Sequence, residues 1–188
     1  MKRLWVFCDG STGAVENHRG ENGCGGLIRS AEPSAPMTCG AGAVALEADG
    51  RIAGWEWRPL PAMTNNEAEY AGLLLGIGLA ERLRADDTVF LLDSEIVVGQ
   101  MTGRYAVNSR SLYRWHWQAC AALRALPKVQ FVAIPREWNR LADGLACQAG
   151  ISWAWLRDEV DKETRSKGAG GQGSGRSQTI SCLLIPGS

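Results

Sequence analysis

Four acidic residues stand where a carboxylate suits chemistry better than packing. Asp9 directly follows a short apolar run near the N-terminus, and Asp93 ends a second apolar run. Glu69 lies early in one predicted helix, and Asp143 lies within a later one. If the two apolar strands are neighbours, the acids meet, and carboxylates at close range repel each other unless a cation neutralises them. The four acids therefore indicate a site for a hard divalent cation.

The other metal-binding residue types favour magnesium or manganese over zinc. The six cysteines are scattered without a Cys-x-x-Cys pair, and His18 and His116 are the only two histidines. A ligand set of oxygens without thiolate or imidazole is the one that Mg²⁺ and Mn²⁺ prefer. Each acid alone also has an ordinary interpretation: Asp9 in a turn, Glu69 on a solvated helix face and Asp93 as a helix N-cap. The prediction depends on their combination.

Patterns of apolar and turn-forming residues predict the elements that position these acids. Asp49-Gly50 is typical of a hairpin turn, and Thr64 with Glu67 has the pattern of a capping box at the start of a long helix. The predicted strands cover residues 4–8, 43–46, 52–57, 88–93 and 129–134, and the predicted helices cover 65–84, 94–101, 109–126 and 139–155. This order predicts an α/β fold, a mixed five-stranded sheet with helices on both faces.

Length and composition indicate one folded domain followed by a tail. The chain has 188 residues, of which 45% are hydrophobic, and its 20 basic residues balance 20 acidic ones. That balance excludes a generally basic protein that coats nucleic acid, and it excludes an acidic solvating chain. We predict a domain over residues 1–158, with a long loop or insertion over 13–41, and a flexible Gly/Ser-rich tail over 159–188.

The apolar runs predict no membrane segment. All of them are far shorter than the roughly 20 residues that a bilayer-spanning helix needs. The N-terminal run is cut off by an acid, which is unlike a secretory signal peptide. We therefore expect a cytoplasmic monomer without a membrane partner.

Four segments that contain the acids resemble type 1 ribonuclease H. In chain order they are Phe7-Cys8-Asp9-Gly10-Ser11, Thr64-Asn65-Asn66-Glu67-Ala68-Glu69-Tyr70, Leu92-Asp93-Ser94-Glu95-Ile96-Val97-Val98-Gly99-Gln100 and Pro135-Arg136-Glu137-Trp138-Asn139-Arg140-Leu141-Ala142-Asp143-Gly144-Leu145-Ala146. The resemblance runs from about residue 4 to residue 150. It is closer to the short, reverse-transcriptase-like branch than to the branch with a basic protrusion, because between Asp93 and Asp143 there is room only for two helices and a strand.

This resemblance implies a ribonuclease H-like fold and a hydrolase that cuts the RNA strand of an RNA–DNA hybrid endonucleolytically. It implies two Mg²⁺ ions during catalysis, with Mn²⁺ as a substitute. By the family pattern, Asp9 bridges both ions and Asp143 helps to hold the ion that activates the attacking water. Glu69 and Asp93 then hold the ion near the leaving 3′ oxygen. Two ions about 3.5–4 Å apart suit such an in-line displacement.

The family pattern also implies contacts with the nucleic acid beside the acids. The implied substrate-binding residues are Gly10, Ser11, Thr64, Asn65, Asn66 and Arg136. Asparagine can both donate a hydrogen bond to a 2′-hydroxyl and accept one from it, and that hydroxyl distinguishes RNA from DNA. Simple helix capping explains Thr64 and Asn65 equally well.

Two alternatives stay open, and the first of them rests on a departure from the family pattern. Family members commonly carry a histidine ten residues before the fourth acid, whereas Ala133 occupies that place here. One alternative is a ribonuclease H-like protein that binds hybrids and catalyses weakly. The other is a different nuclease of the same fold that acts on DNA, since a fold does not determine a substrate.

A basic segment spans residues 101–140. It holds seven basic residues and one acid, Glu137, so its net charge is +6. The tryptophans Trp115, Trp117 and Trp138 are interleaved with these charges, a pattern typical of nucleic-acid contact, although Trp115 and Trp117 lie on different helix faces and at least one should be in the core. We expect the segment to border the hybrid, with Arg136 near the acids.

Overall fold

In the computed structural model, residues 1–13 and 38–149 are described, and they contain one mixed β-sheet. Its strands are β1 (Arg3–Gly13), β2 (Thr38–Leu46), β3 (Ile52–Leu60), β4 (Asp87–Leu92) and β5 (Val129–Ala133). The strand order is β3-β2-β1-β4-β5. The neighbours β1, β2 and β3 are antiparallel, while β4 is parallel to both β1 and β5. The predicted mixed five-stranded sheet is confirmed.

Four helices belong to the described residues. They are α1 (Asn65–Arg82), α2 (Glu95–Met101), α3 (Arg110–Ala122) and α4, described over residues 140–149. Thr64 caps α1, and the predicted capping box with Glu67 is present. Two short 3₁₀ turns, Leu123–Ala125 and Arg136–Trp138, precede β5 and α4. None of these helices is long and apolar enough to cross a bilayer, within the residues that the structure describes.

The helices lie on both faces of the sheet, as predicted. On one face, α1 packs so closely that a Cβ atom at Gly76 would lie 2.3 Å from Cys8 Sγ in β1. On the other face, a Cβ at Gly42 of β2 would lie 2.5 Å from the carbonyl oxygen of Ala142 in α4. Gly42 pairs with Asp9, and successive residues of a strand point to opposite faces, so Cys8 and Gly42 face opposite sides.

The first two strands are longer than predicted. Turn-prone residues from Gly10 onward suggested that β1 ends at residue 8, but Ser11 pairs with Gly40 and the ladder continues to Gly13. Asp9 therefore lies inside a strand and does not end it. The predicted loop over 13–41 is too long, because β2 begins at Thr38. The rest of that insertion, and the predicted tail over 159–188, lie outside the described residues.

Candidate metal centre

A close approach of α1 to β1 brings Glu69 to Asp9. A Cβ atom at Gly10 would lie 1.9 Å from the backbone carbonyl carbon of Ala68, and one at Gly72 would lie 2.2 Å from the carbonyl oxygen of Asp9. Only glycine leaves room for two backbones to come so near. The Gly10 amide donates a hydrogen bond to the Glu69 carboxylate across this contact. Two glycines thus determine how near Glu69 lies to the strand.

The parallel pairing of β1 with β4 brings Asp93 to the same place. Phe7 pairs with Leu91, so Asp9 and Asp93, two residues further along each chain segment, lie side by side. Asp9, Glu69 and Asp93 each offer a carboxylate oxygen, and these three oxygens lie within 4.8 Å of one another. The structure therefore brings three of the four predicted acids together. We call these three residues the acid cluster.

Asp143 lies beside the acid cluster, on α4. Its side chain is 30% exposed, and its Oδ1 accepts a hydrogen bond from Arg136 Nη2 at 3.3 Å. Its charge still raises the pKa of Asp9, so it lies close enough to act electrostatically. On the same helix, Cys147 Sγ lies 3.6 Å from Ser11 Oγ of β1. The fourth acid is thus half-buried at the margin of the cluster, where α4 carries it and an arginine pairs with it.

Burial and mutual repulsion raise the pKa of two carboxyl groups in the acid cluster. Asp9 is 3% exposed and Glu69 is 6% exposed. Burial raises the pKa of Asp9 to about 8, with help from the charges of Asp93 and Asp143. Burial raises the pKa of Glu69 to about 9, with help from Asp9 and Asp93. The charge of Arg136 lowers both pKa values without offsetting the rise. Such a site favours any cation that can replace the protons.

The donor atoms of the acid cluster fit a hard divalent cation. All of them are carboxylate oxygens, the ligands that Mg²⁺ and Mn²⁺ prefer. Within the described part of the chain, Glu69 Oε2 is buried and has no hydrogen-bond partner. A buried carboxylate oxygen without a partner is costly, and coordination to a cation removes that cost. The residues therefore fit the divalent ion that the sequence predicted.

Sequence reasoning missed Asn139. This residue is completely buried, and its Nδ2 donates a hydrogen bond to Asp93 Oδ1 at 2.7 Å. In the sequence it is the first residue of the helix predicted over 139–155, a place where asparagine is an ordinary cap. The sequence pattern alone does not distinguish such a cap from a donor to a carboxylate that lies far away along the chain.

Three predicted substrate-binding residues lie at the start of α1. Thr64 forms the capping box, in which its backbone amide donates to Glu67 Oε2 at 2.9 Å. Thr12 Oγ1 donates to Asn65 Oδ1 at 3.4 Å, which ties β1 to the first turn of α1. Asn65 is exposed and Asn66 is half-buried. The capping interpretation of Thr64 is confirmed, and the substrate roles of these residues stay predictions.

The basic segment is divided between the two ends of the sheet. Arg136 lies at the acid cluster, as expected. Lys128 instead donates a hydrogen bond at 3.1 Å to Asp87, the first residue of β4, which Arg3 also binds. Because Asp93 follows the last residue of β4, Lys128 lies at the opposite end from the cluster. The expectation that the whole segment borders the substrate is wrong for Lys128.

The aromatic residues of the basic segment are also divided. Trp115 is partly buried and packs against the core, whereas Trp117 and Trp138 are 64% and 68% exposed. Arg110 and Arg114 are exposed on α3. The prediction that one of the two helical tryptophans belongs to the core is confirmed.

A family model described as reverse transcriptase-like matches residues 7–149. The matched residues include all four predicted acids, Gly10 and Gly72. The chain belongs to the reverse transcriptase-like family. Similarity to ribonuclease HI and ribonuclease H domains confirms the predicted resemblance of this family member to type 1 ribonuclease H.

Three relatives show the extent of that similarity. The bifunctional protein Rv2228c of Mycobacterium tuberculosis is 36% identical over 115 residues, which are 61% of this chain and 32% of that protein. Ribonuclease HI of Halobacterium salinarum is 31% identical over 114 residues, 61% of this chain and 57% of that protein. The solved N-terminal RNase H domain of Rv2228c, fused to maltose-binding protein, has a TM-score of 0.67 at 28% identity, covering 84% of this chain and 99% of that one. This member of the reverse transcriptase-like family thus has the ribonuclease H fold, and it spans about a third of the mycobacterial relative.

Proposed function

We propose that this protein is a metal-dependent ribonuclease H that hydrolyses the RNA strand of RNA–DNA hybrids endonucleolytically. The acid cluster carries the proposal: Asp9, Glu69 and Asp93 meet within 4.8 Å on a ribonuclease H fold. Relatives named ribonuclease HI and RNase H domain support the same activity. A protein that only binds hybrids has no use for buried carboxylates that repel each other.

In this proposal, different residues bind the metal ions and the phosphate. Asp9, Glu69 and Asp93 would hold the divalent ions, and Asp143 would add a ligand from the margin. At this site, divalent ions would supply charge to orient the phosphate, to activate a water molecule and to neutralise the leaving 3′ oxygen. The water oxygen bonds to phosphorus as the bond to the 3′ oxygen breaks. The water loses a proton and the 3′ oxygen gains one, which leaves a 5′-phosphate and a 3′-hydroxyl. Arg136, with its fixed positive charge beside Asp143, offsets phosphate charge near the site.

The exposed start of α1 supplies the recognition of RNA in this proposal. Asn65 and Asn66 carry amide groups next to Thr64, the N-cap residue of α1. An amide both donates to and accepts from a 2′-hydroxyl, which DNA lacks. The hybrid is therefore favoured over duplex DNA.

A second candidate function is hybrid binding with weak catalysis. Ala133, the exposed last residue of β5, stands where family members commonly carry a histidine. The loss of a proton-transfer group slows turnover and leaves the metal ligands intact. Under this alternative, hybrid affinity resembles that of an active nuclease while the turnover rate is low.

One assay separates these functions. Labelled RNA–DNA hybrid, duplex RNA and duplex DNA are each incubated with Mg²⁺, Mn²⁺ or EDTA. We expect cleavage of the RNA strand of the hybrid only, with either metal, and none with EDTA. Cleavage of duplex DNA instead would show a different nuclease of the same fold, and binding without cleavage in any metal would show a binding module.

Two variants make the assay specific for the acid cluster. Asp9→Asn should abolish cleavage while hybrid binding survives. Asp49→Asn removes an exposed acid from the β2–β3 turn and should cleave like the wild type. Full activity of Asp9→Asn would contradict the proposed function.

Three finer points belong to the same proposal. The resident ions are Mg²⁺, with Mn²⁺ as a substitute, because the ligands are oxygens only. The protein acts as a cytoplasmic monomer without a membrane partner. Rates measured over a range of each metal test the choice of ion, the molar mass in solution tests the monomer, and fractionation of cells tests the location.

A further inference from the structure

Asn139 is a completely buried residue between the Arg136–Trp138 turn and α4. Its carbonyl oxygen accepts a hydrogen bond from the Asp143 amide at 3.0 Å, so α4 starts from it. An asparagine at such a position commonly caps the helix with its side-chain oxygen. Asn139 does not, because no group among the described residues donates to its Oδ1. Capping therefore does not explain this side chain.

The side-chain amide of Asn139 instead joins α4 to the two strands that carry acids. Its Nδ2 donates to the carbonyl oxygen of Cys8 at 2.9 Å and to Asp93 Oδ1 at 2.7 Å. Both partners are acceptors, so the NH₂ end of the amide must face them, and each of its two hydrogens has an acceptor. Since Cys8 precedes Asp9, one side chain ties together the segments that carry Asp9, Asp93 and Asp143.

A neutral donor orients a carboxylate without discharging it. At the other end of β4, Arg3 and Lys128 orient Asp87 and also neutralise it. At Asp93, the amide of Asn139 occupies one oxygen and brings no positive charge. Asn139 thus orients Asp93 without supplying a positive charge that would compete with a bound cation.

We infer that Asn139 is a positioning residue for the acid cluster. It holds Asp93 so that a carboxylate oxygen faces Asp9 and Glu69, and it thereby sets the affinity of the cluster for a divalent cation. The effect on cation affinity stands on the geometry, and the effect on hydrolysis rests on the proposed function. Loss of such a partner of a metal ligand costs about 10- to 100-fold in metal affinity or activity.

The test measures Mn²⁺ binding to the full chain by titration calorimetry, together with hybrid cleavage. Asn139→Ala removes both hydrogen bonds, and Asn139→Ser also removes them while keeping a residue that starts helices well. We expect both variants to bind Mn²⁺ about 10- to 100-fold more weakly. In cleavage, kcat should fall by a similar factor while KM for the hybrid changes less than about threefold, because the nucleic-acid contacts lie elsewhere.

Tyr70→Phe is the matched control. It removes another buried side-chain hydrogen bond, from the Tyr70 hydroxyl to Gln100 Oε1 at 2.8 Å, which does not involve the acid cluster. Its Mn²⁺ affinity should equal that of the wild type. An equal loss in Tyr70→Phe, or wild-type Mn²⁺ affinity in a folded Asn139 variant, would overturn the inference. If Asn139 variants lose Mn²⁺ affinity but the wild type cuts no hybrid, the proposed function fails and the inference stands.

Discussion

Two buried aspartates at opposite ends of the central strands differ in how their charge is handled. Asp87 begins β4 and is 1% exposed, while Asp9 lies near the other end of β1 and is 3% exposed. Asp87 accepts hydrogen bonds from Arg3 and Lys128, at 2.9 and 3.1 Å. Burial opposes its ionisation, but these two partners outweigh burial and lower its pKa. For Asp9, burial and neighbouring carboxylates raise the pKa instead.

The difference separates an acid that the chain's own cations neutralise from an acid that they leave without a partner of opposite charge. Asp87 is neutralised by fixed cations of the chain and ties the starts of three strands together. The acid cluster has carboxylates and a neutral amide as its nearest partners, with Arg136 paired to the marginal Asp143. Burial therefore does not by itself identify a functional acid, whereas the partners of the acid do.

Replacing Glu69 should give the largest effect, with lower cleavage activity and higher stability of the metal-free protein. Glu69→Gln removes a metal ligand, so hybrid cleavage should fall more than about 100-fold. The same change removes a repelling, buried carboxylate, so the melting temperature of the metal-free protein at pH 9 should rise by several degrees. Initial rates and calorimetry measure the two effects, and a lower melting temperature at pH 9 would contradict the comparison.

Replacing Asp87 should give the reverse result. Asp87→Asn leaves Arg3 and Lys128 without their shared carboxylate, so the melting temperature should fall by several degrees. Cleavage should stay within about twofold of the wild type at a temperature where both are folded, because the acid cluster keeps its ligands. A large loss of cleavage in the folded variant would show that the two ends of the sheet are coupled.

The contributions of the acid cluster and of Asp87 to stability should change with pH in opposite directions. The pKa values of Asp9 and Glu69 are raised to about 8 and about 9 on folding, so the metal-free folded state binds more protons than the unfolded state. Its stability should therefore fall as pH rises from about 5 to 9. Melting temperatures over this range, with and without Mg²⁺, measure the fall. Mg²⁺ should reduce it, and a stability that rises with pH in metal-free protein would contradict the pKa shifts.

The contribution of Asp87 to stability should depend on pH in the opposite direction, and the same melting temperatures measure it. Because its pKa is lowered on folding, its stabilising contribution is present above the unfolded value of about 3.9 and is lost as pH falls through the folded value. The difference in melting temperature between the wild type and Asp87→Asn should therefore shrink in acid. A difference that persists unchanged at low pH would show that packing, not charge, accounts for it.

The smallest expected effect concerns the salt dependence of hybrid binding. Replacing Arg110, Arg114 and Arg136 together by glutamine should flatten the plot of log affinity against log salt, by up to about one unit of slope for each phosphate that an arginine neutralises in the wild type. Lys128→Gln is the control from the same basic segment, and it should leave the slope unchanged because Lys128 pairs with Asp87. Equal slopes for the wild type, the triple variant and Lys128→Gln would show that these arginines do not contact the phosphates of the hybrid.

The sequence predicted the helix start at Thr64 correctly because a capping box depends on neighbouring residues only. It misjudged the end of β1, since Gly10 and Ser11 are turn-prone alone but have strand partners in β2. It also assigned Lys128 to the substrate side, because a net charge along the chain does not show which charges are already paired. The sequence did not predict the role of Asn139, because its hydrogen-bond partners Cys8 and Asp93 are remote along the chain.

The residue types and their order predicted, without any structure, a mixed α/β sheet and four acids suited to a divalent cation. Ligand chemistry and the periodicity of apolar residues are local properties, so the sequence expresses them directly. Only the tertiary structure decided which acids meet. The backbone contacts at Gly10 and Gly72 bring Glu69 to Asp9, Asp143 stays beside the cluster with Arg136, and Asp87 is neutralised elsewhere. Distances between remote residues depend on packing, and packing is a property of the whole fold.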